Sequence, residues 1–179
     1  MIAETSRLHL REFVEADWPA VLAYQADPRY LNYYPWTGRT EADVRAFVGR
    51  FLTWQAAQPR LKFQLALTLR DGGSLIGNCG IRLPEAGAQS AELGYELAPQ
   101  HWGHGYATEA ARAMVKFGFE ILGLHRIWGG CVPENVASRR VMEKLGMQCE
   151  GRLRQTQRFK GRWWDTLVYA VLEDEWRYH

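Results

Sequence analysis

In the segment RLHLREF (7–13), Leu8 and Leu10 alternate with polar neighbours, and this period of two predicts a half-buried strand. The period changes at Asp17. Aspartate accepts hydrogen bonds from free amides and proline is tolerated in a first turn, so Asp17-Trp18-Pro19 reads as the start of a helix that ends before Pro28. NYYPWTGR (32–39) is a loop by its proline and glycine, and Thr40 opens a second helix with Val44, Phe47, Val48, Phe51 and Leu52 on one face. KFQLALTLRDGGSLIGNCGIRL (62–83) reads as two strands joined at Asp71, Gly72 and Gly73, where positive φ angles are easily adopted.

SAELGYEL (90–97) alternates again, as a fourth strand. A third helix is predicted over 106–122, with Ala107, Ala110, Ala111, Met114 and Ile121 on one face and Gly123 as its stop. HRIWGGCV (125–132) is an apolar fifth strand broken by Pro133; ENVASRRVMEKL (134–145) is a short helix ended by Gly146. Two strands follow around MQCEGRLRQ (147–155) and WWDTLVYAVL (163–172). No repeat, low-complexity tract or composition shift interrupts the order β-α-α-β-β-β-α-β-α-β-β. One α+β domain over 1–179, with about seven strands and about four helices, is the expected architecture.

Composition narrows the function classes. The apolar fraction of 47% and charged fraction of 23% are those of a globular chain. A formal charge of +2, spread in small alternating groups, argues against a dedicated nucleic-acid binder. Cys79, Cys131 and Cys149 are widely spaced and form no C-x-x-C, so they suggest neither a disulfide framework nor a metal site. A cytoplasmic location fits that usage, and no apolar run has the length of a signal h-region or a membrane span.

The stretch QHWGHGYA (100–107) places two glycines where the third helix begins. Lacking Cβ, Gly103 and Gly105 let the backbone curl until successive amides point one way, and the helix adds its own unpaired first amides. Amide nest and helix dipole together suit a pyrophosphate without any basic side chain. A Walker loop is excluded because Tyr106 follows Gly105; the dinucleotide fingerprint lacks its third glycine, Thr108 holding that place, and LHRIW supplies no acidic residue beyond it. A plain strand-to-helix turn remains the alternative.

QHWGHGYA matches the Q/R-x-x-G-x-G/A motif of the GNAT superfamily of acyl-CoA-dependent N-acyltransferases, between the fourth strand and third helix as in that family. TSRLHLREF, ELGYEL, PENVASRRVMEKLGM and GRWWDTLVYAVLEDEW resemble the branch containing Rim-type ribosomal-protein N-terminal acetyltransferases, so the resemblance spans nearly the whole chain. It implies a mixed twisted sheet whose fourth and fifth strands splay apart, with the pantetheine of acetyl-CoA pairing against the edge of the fourth at Glu96, Leu97 and Ala98. A backbone amide near Leu97 would stabilise the oxyanion. Gln100, Gly103, His104, Gly105, Tyr106 and Ala107 would hold the diphosphate, His104 through its backbone amide. Asn135 would bind pantetheine, or simply cap its helix. Ser138 would protonate the departing thiolate; it is the only hydroxyl near the helix position where many relatives have Tyr, since residues 140–142 are Arg, Val and Met.

The implied activity is direct acetyl transfer to a primary amine, with no metal and no covalent enzyme intermediate. An α-amine of pKa about 7.8 is roughly a third neutral at pH 7.5, a lysine amine only about 0.1%, so an N-terminal acceptor needs the weaker base. Glu92 and Glu109 are the candidate bases. The alternative for Glu92 is an exposed strand glutamate, and for Glu109, in the first turn of the third helix, a residue that only complements the helix dipole. Tyr33, Tyr34, Trp36 and Trp163 are candidates to line the acceptor pocket. Asp165 either meets a cationic acceptor or pairs with Arg162. Cys131, in an apolar strand, is expected to be inert. The expected partners are acetyl-CoA and an amine, either a protein N-terminus or a small molecule such as a polyamine, amino acid or antibiotic; a homodimer is compatible. A non-catalytic acyl-CoA-binding module is the alternative class.

Overall fold

The computed structural model describes residues 3–176. Its strands are β1 (Ala3–Glu4), β2 (Leu8–Arg11), β3 (Lys62–Leu69), β4 (Leu75–Arg82), β5 (Ser90–Leu97), β6 (Arg126–Cys131), β7 (Gln148–Phe159) and β8 (Arg162–Leu172). The helices are α1 (Trp18–Gln25), α2 (Pro28–Leu31), α3 (Glu41–Ala56), α4 (Tyr106–Glu120), α5 (Val136–Lys144) and α6 (Glu173–Trp176). Every strand joins one sheet in the order β1-β2-β3-β4-β5-β6-β8-β7. Neighbours are antiparallel throughout except for β5 and β6, which are parallel.

Local chemistry sets the element ends. Thr40 and Asp43 form a reciprocal capping box at α3, with the Asp43 amide donating to Thr40 Oγ1 at 3.2 Å and the Thr40 amide to Asp43 Oδ2 at 2.9 Å. The expected β3–β4 hairpin turns through Gly72 and Gly73, at φ of +89° and +67°. Asp27 accepts from the Arg29 amide and starts α2, a helix hidden in the sequence because Pro28 reads as a stop for the helix before it. The short β1, α2 and α6 bring the totals among the described residues to eight strands and six helices, against about seven and about four expected.

Helices cover both faces of the sheet. α4 packs on one face, where Leu65, Leu67, Cys79, Ile81, Leu93 and Met114 share a core. Gly118 permits this contact, since a Cβ there would lie 2.6 Å from Ile127 Cδ1. Ile121, expected on the buried side of this helix, is instead 70% exposed, because α4 ends at Glu120 and Ile121 turns outward at its cap. On the other face α1, α2 and α3 bury Phe13, Val21, Tyr24, Tyr30, Val44 and Phe51. The carboxamide side chains of Gln25, Gln64 and Asn78 are buried on this second face. No helix among the described residues is long and apolar enough to cross a membrane.

Candidate active site

Strands β5 and β6, the fourth and fifth of the sequence reading, pair only where Ser90, Ala91 and Glu92 meet Arg126, Ile127 and Trp128. Beyond that point β5 stays on β4 as far as Leu97 while β6 stays on β8 as far as Cys131, so the two diverge and open a gap. The Ala98 amide donates to the Ile76 carbonyl at 2.8 Å and is thereby spent on the β4 side. Successive backbone groups of a strand alternate in direction, so the amides of Leu97 and Tyr95 face the gap. The Leu97 carbonyl, on that same side, accepts from the Trp102 indole at 2.7 Å.

Past β5, Gln100 lies in a short turn (Pro99–His101) and the chain enters the glycine loop. Gly103 and Gly105 adopt φ of +80° and +83°, the left-handed region that costs glycine little. A Cβ on Gly103 would meet nothing within 4 Å, so its requirement is conformational rather than steric. The intrahelical ladder of α4 begins with the Glu109 amide on the Gly105 carbonyl at 3.0 Å, leaving the amides of Tyr106, Ala107 and Thr108 ahead of it. Arg7, the residue just before β2, buttresses the loop. Its Nη1 donates to the His104 carbonyl at 2.9 Å, its guanidinium lies 4.5 Å from the Tyr106 ring centre, and its Nε donates to Glu109 Oε2 at 2.7 Å. Glu109 also accepts from Ser6 Oγ and the Arg7 amide, so it ties the start of β2 to the loop besides complementing a dipole. Burial alone would raise its pKa, but the hydrogen bonds from this segment prevail and lower it. Arg7 carried no sequence signal for this role, since its partners lie about a hundred residues away.

A cavity of about 320 Å³ runs through the gap from one face of the sheet to the other. Toward α3 it is walled by Tyr34, Phe47, Phe51, Trp54 and Arg50, and its floor carries Gln64, Asn78, Arg82, Glu92 and Glu96. Toward α5 it reaches Ser138 and Met142, passing Gly129 and Gly130.

Glu96 is the carboxylate that the cavity singles out. Its Oε2 accepts from Tyr24 Oη at 3.2 Å, Gln25 Nε2 at 3.1 Å and Asn78 Nδ2 at 3.1 Å. Burial raises its pKa, and these hydrogen bonds offset the rise only in part. In the sequence Glu96 stands out only for its backbone, because its side-chain partners arrive from α1 and β4 through tertiary folding. Glu92 lines the same cavity but is ion-paired with Arg82 at 3.2 Å.

On the opposite side, Ser138 Oγ lies 2.9 Å from Tyr95 Oη, and Tyr95 Oη also donates to the Ser138 carbonyl at 3.0 Å. Ser138 is therefore not the only hydroxyl here. Tyr95 carries no signal of this in the sequence, because it comes from β5 and not from the helix position where many relatives have tyrosine. Burial raises the Tyr95 pKa, so it stays protonated through the neutral range. Asn135 caps α5, its Oδ1 accepting from the Ser138 amide at 3.1 Å. Cys131, only half-buried, has its thiol pKa raised by that burial.

Of the aromatic candidates, Tyr34 lines the cavity and Trp36 stacks behind it at 4.9 Å. Tyr33 and Trp163 lie outside this lining: Tyr33 donates to the Glu134 carbonyl, and Trp163 is 54% exposed near the β7–β8 turn. Asp165 pairs with Arg152 and the Gln155 amide across the hairpin, while Arg162 pairs with Glu134, correcting the expected Asp165–Arg162 pair.

A splayed mixed sheet, a glycine-rich helix entry and a cavity joining two faces define the acyl-CoA-dependent acyltransferase class. The acetyltransferase (GNAT) domain model matches residues 7–148, and the chain belongs to that family. It is 39% identical over 172 residues to the uncharacterized N-acetyltransferase YnaD of Bacillus subtilis (strain 168), covering 96% of this chain and 97% of YnaD. The crystal structure of a GNAT-family acetyltransferase from Bacillus anthracis is similar at a TM-score of 0.83 and 35% identity, covering 96% of this chain and 98% of that one. Mycobacterium smegmatis RimJ in complex with CoA-disulfide is similar at a TM-score of 0.80 and 26% identity, covering 94% of this chain and 83% of that one. The protein is an N-acetyltransferase that uses acetyl-CoA.

Proposed function

We propose that the protein transfers acetyl directly from acetyl-CoA to the α-amine of a peptide N-terminus, with Glu96 as the proton acceptor and the Tyr95–Ser138 pair as the proton donor. The observation that carries this reading is the cavity through the β5–β6 gap, which has Glu96 on one side and Ser138 on the other.

The residues present fit the cosubstrate. The amides of Tyr106, Ala107 and Thr108, with the left-handed Gly103 and Gly105, suit a diphosphate; Gln100 and His104 flank it through the loop backbone. The free edge of β5 at Tyr95 and Leu97 suits an extended amide-bearing arm, with Asn135 beside it at the head of α5. Bound acetyl-CoA supplies an activated acyl carbon. The Leu97 amide, aimed into the gap, is the donor for the carbonyl oxygen. As the C–N bond forms and the C–S bond breaks, Glu96 takes the proton leaving nitrogen. Ser138, backed by Tyr95, gives a proton to sulfur, whose thiol pKa of about 8.5 makes the thiolate a moderate leaving group.

The charges of the cavity favour a monoamine. Arg50 and Arg82 balance Glu92 and Glu96, and Arg82 occupies Glu92, which leaves one carboxylate for a cation. A polyamine would bring several charges to a lining that is formally neutral. Tyr34, Phe47 and Trp54 offer apolar contact to the first side chain of a peptide.

CoA release measured with a peptide bearing a free N-terminal alanine, the same peptide N-acetylated, and spermine tests the reading. Turnover of the free peptide alone is expected. Preference for spermine would overturn the acceptor assignment. Tight acetyl-CoA binding without turnover of any amine would indicate a non-catalytic module.

A further inference from the structure

Two chains of amide side chains converge on Glu96, and each begins at an arginine. In the first, Arg39 Nε donates to Gln25 Oε1 at 3.0 Å and Gln25 Nε2 donates to Glu96 Oε2 at 3.1 Å. In the second, Arg82 Nη1 donates to Gln64 Oε1 at 3.2 Å, Gln64 Nε2 to Asn78 Oδ1 at 2.6 Å, and Asn78 Nδ2 to Glu96 Oε2 at 3.1 Å. Glu92 holds the outer end, accepting from Arg82 Nε at 3.2 Å.

The direction of both chains is forced. A carboxamide has an oxygen that accepts and an NH2 that donates, whereas a guanidinium has donors only. The oxygen of Gln25 or Gln64 must therefore face its arginine, and its NH2 must face inward. Asn78, meeting the NH2 of Gln64 with its oxygen, must in turn point its own NH2 at Glu96. Gln25, Gln64 and Asn78 are exposed by only 0%, 4% and 1%, so their partners are chiefly one another and the groups at the chain ends. Neither guanidinium is a hydrogen-bond partner of Glu96, yet each ensures that a donor is aimed at it.

The sheet makes room for this arrangement with two glycines. A Cβ on Gly94 would lie 2.4 Å from Arg82 Nη2, and one on Gly80 would lie 2.6 Å from Gln64 Oε1. Arg82 and Gln64 thus rest where side chains at 94 and 80 would otherwise stand.

We propose that Arg39 and Arg82 are positioning residues that, through Gln25 and through Gln64 and Asn78, fix the amide directions around Glu96 and so favour its carboxylate form, with Glu92 anchoring Arg82. The proposal rests on the reading of Glu96 as the proton acceptor. Other titratable groups near Glu96 are Tyr24, Tyr30 and Tyr34, which burial keeps protonated, and Arg50, exposed on α3 at the cavity wall.

The test is a titration of side-chain carboxyl carbons in protein labelled with 13C-glutamate, the Glu96 signal being assigned by its loss in Glu96→Gln. Gly94→Ala displaces the Arg82 guanidinium without removing a charge; Gln64→Leu cuts the second chain and Arg39→Met the first. Each is expected to raise the Glu96 midpoint by about half a pH unit or more. The acid limb of kcat/KM for the free N-terminal alanine peptide should move with it. Arg82→Lys, still only a donor, should keep the wild-type midpoint, and Arg82→Met should add nothing in a Gln64→Leu background. An equal shift from Arg82→Met in both backgrounds would mean that Arg82 acts through space, and unmoved midpoints in Gly94→Ala, Gln64→Leu and Arg39→Met would overturn the relay. Should a methionine variant not fold, Gly94→Ala and Gln64→Leu carry the test. The titration does not depend on turnover: wild-type kcat/KM in Glu96→Gln would overturn the base assignment, whereas a static midpoint would overturn the relay.

Discussion

Tyr95 Oη and Ser138 Oγ lie 2.9 Å apart across the junction of β5 and α5, so two hydroxyls, not one, stand on the α5 side of the gap. If they act as one proton donor, Tyr95→Phe and Ser138→Ala should each lower kcat by about 10²-fold, the lower end of general acid catalysis. The double variant should be little worse than either single one. Acetyl-CoA affinity, measured by calorimetry, should change far less than kcat. A double variant that multiplies the two losses would show that the hydroxyls act independently.

Gly103 sits at φ +80° with open space around the position of a Cβ. Gly103→Val places its Cβ in open space but opposes the left-handed conformation by about 1–2 kcal/mol or more. The loop should relax to another conformation and lose acetyl-CoA binding while the thermal transition remains cooperative. Unchanged affinity would remove the loop from the cosubstrate site.

The pair of Arg7 and Glu109 should govern both loop order and acid stability. Arg7→Ala is expected to cost about 1–2 kcal/mol and to weaken acetyl-CoA binding, since it frees the His104 carbonyl and the Tyr106 ring. Glu109 has a folded pKa below its ordinary value, so its stabilisation is complete above about pH 4.3 and is lost as pH falls through the folded value. Denaturant titrations of Glu109→Gln and the wild type should therefore converge toward acid.

Glu96 has the opposite sign. Its folded pKa is raised, so above about pH 4.3 the unfolded chain has released the proton while the native protein still holds it. Native stability then falls with rising pH until the folded value is passed. Glu96→Gln removes that decline, and its Tm relative to the wild type should rise as pH increases. A difference in Tm that stays constant with pH would contradict burial as the dominant influence on this carboxyl.

How much of this was legible in the chain depends on how local each signal was. The period-two strands, the Thr40 helix start, the Gly72–Gly73 hairpin and the glycines opening α4 all appear where the sequence places them, since caps and backbone torsions are decided within a few residues. Helix α2 was hidden because Pro28 serves equally as the stop of one helix and the first residue of the next. Ile121 fits the apolar period of α4 yet is exposed, because periodicity does not say where a helix ends.

Residue by residue, the sequence determined the strands, the glycine loop and the family, because these rest on alternation, torsion and short motifs. Only the tertiary structure decided which carboxylate the cavity leaves without an ionic partner, because that depends on what lies across the sheet. Arg82 claims Glu92, while Tyr24, Gln25 and Asn78, drawn from a helix and a neighbouring strand, surround Glu96. A side chain's acidity is set by its solvation and by the donors aimed at it, and residues dozens of positions apart bring those donors together only when the chain folds.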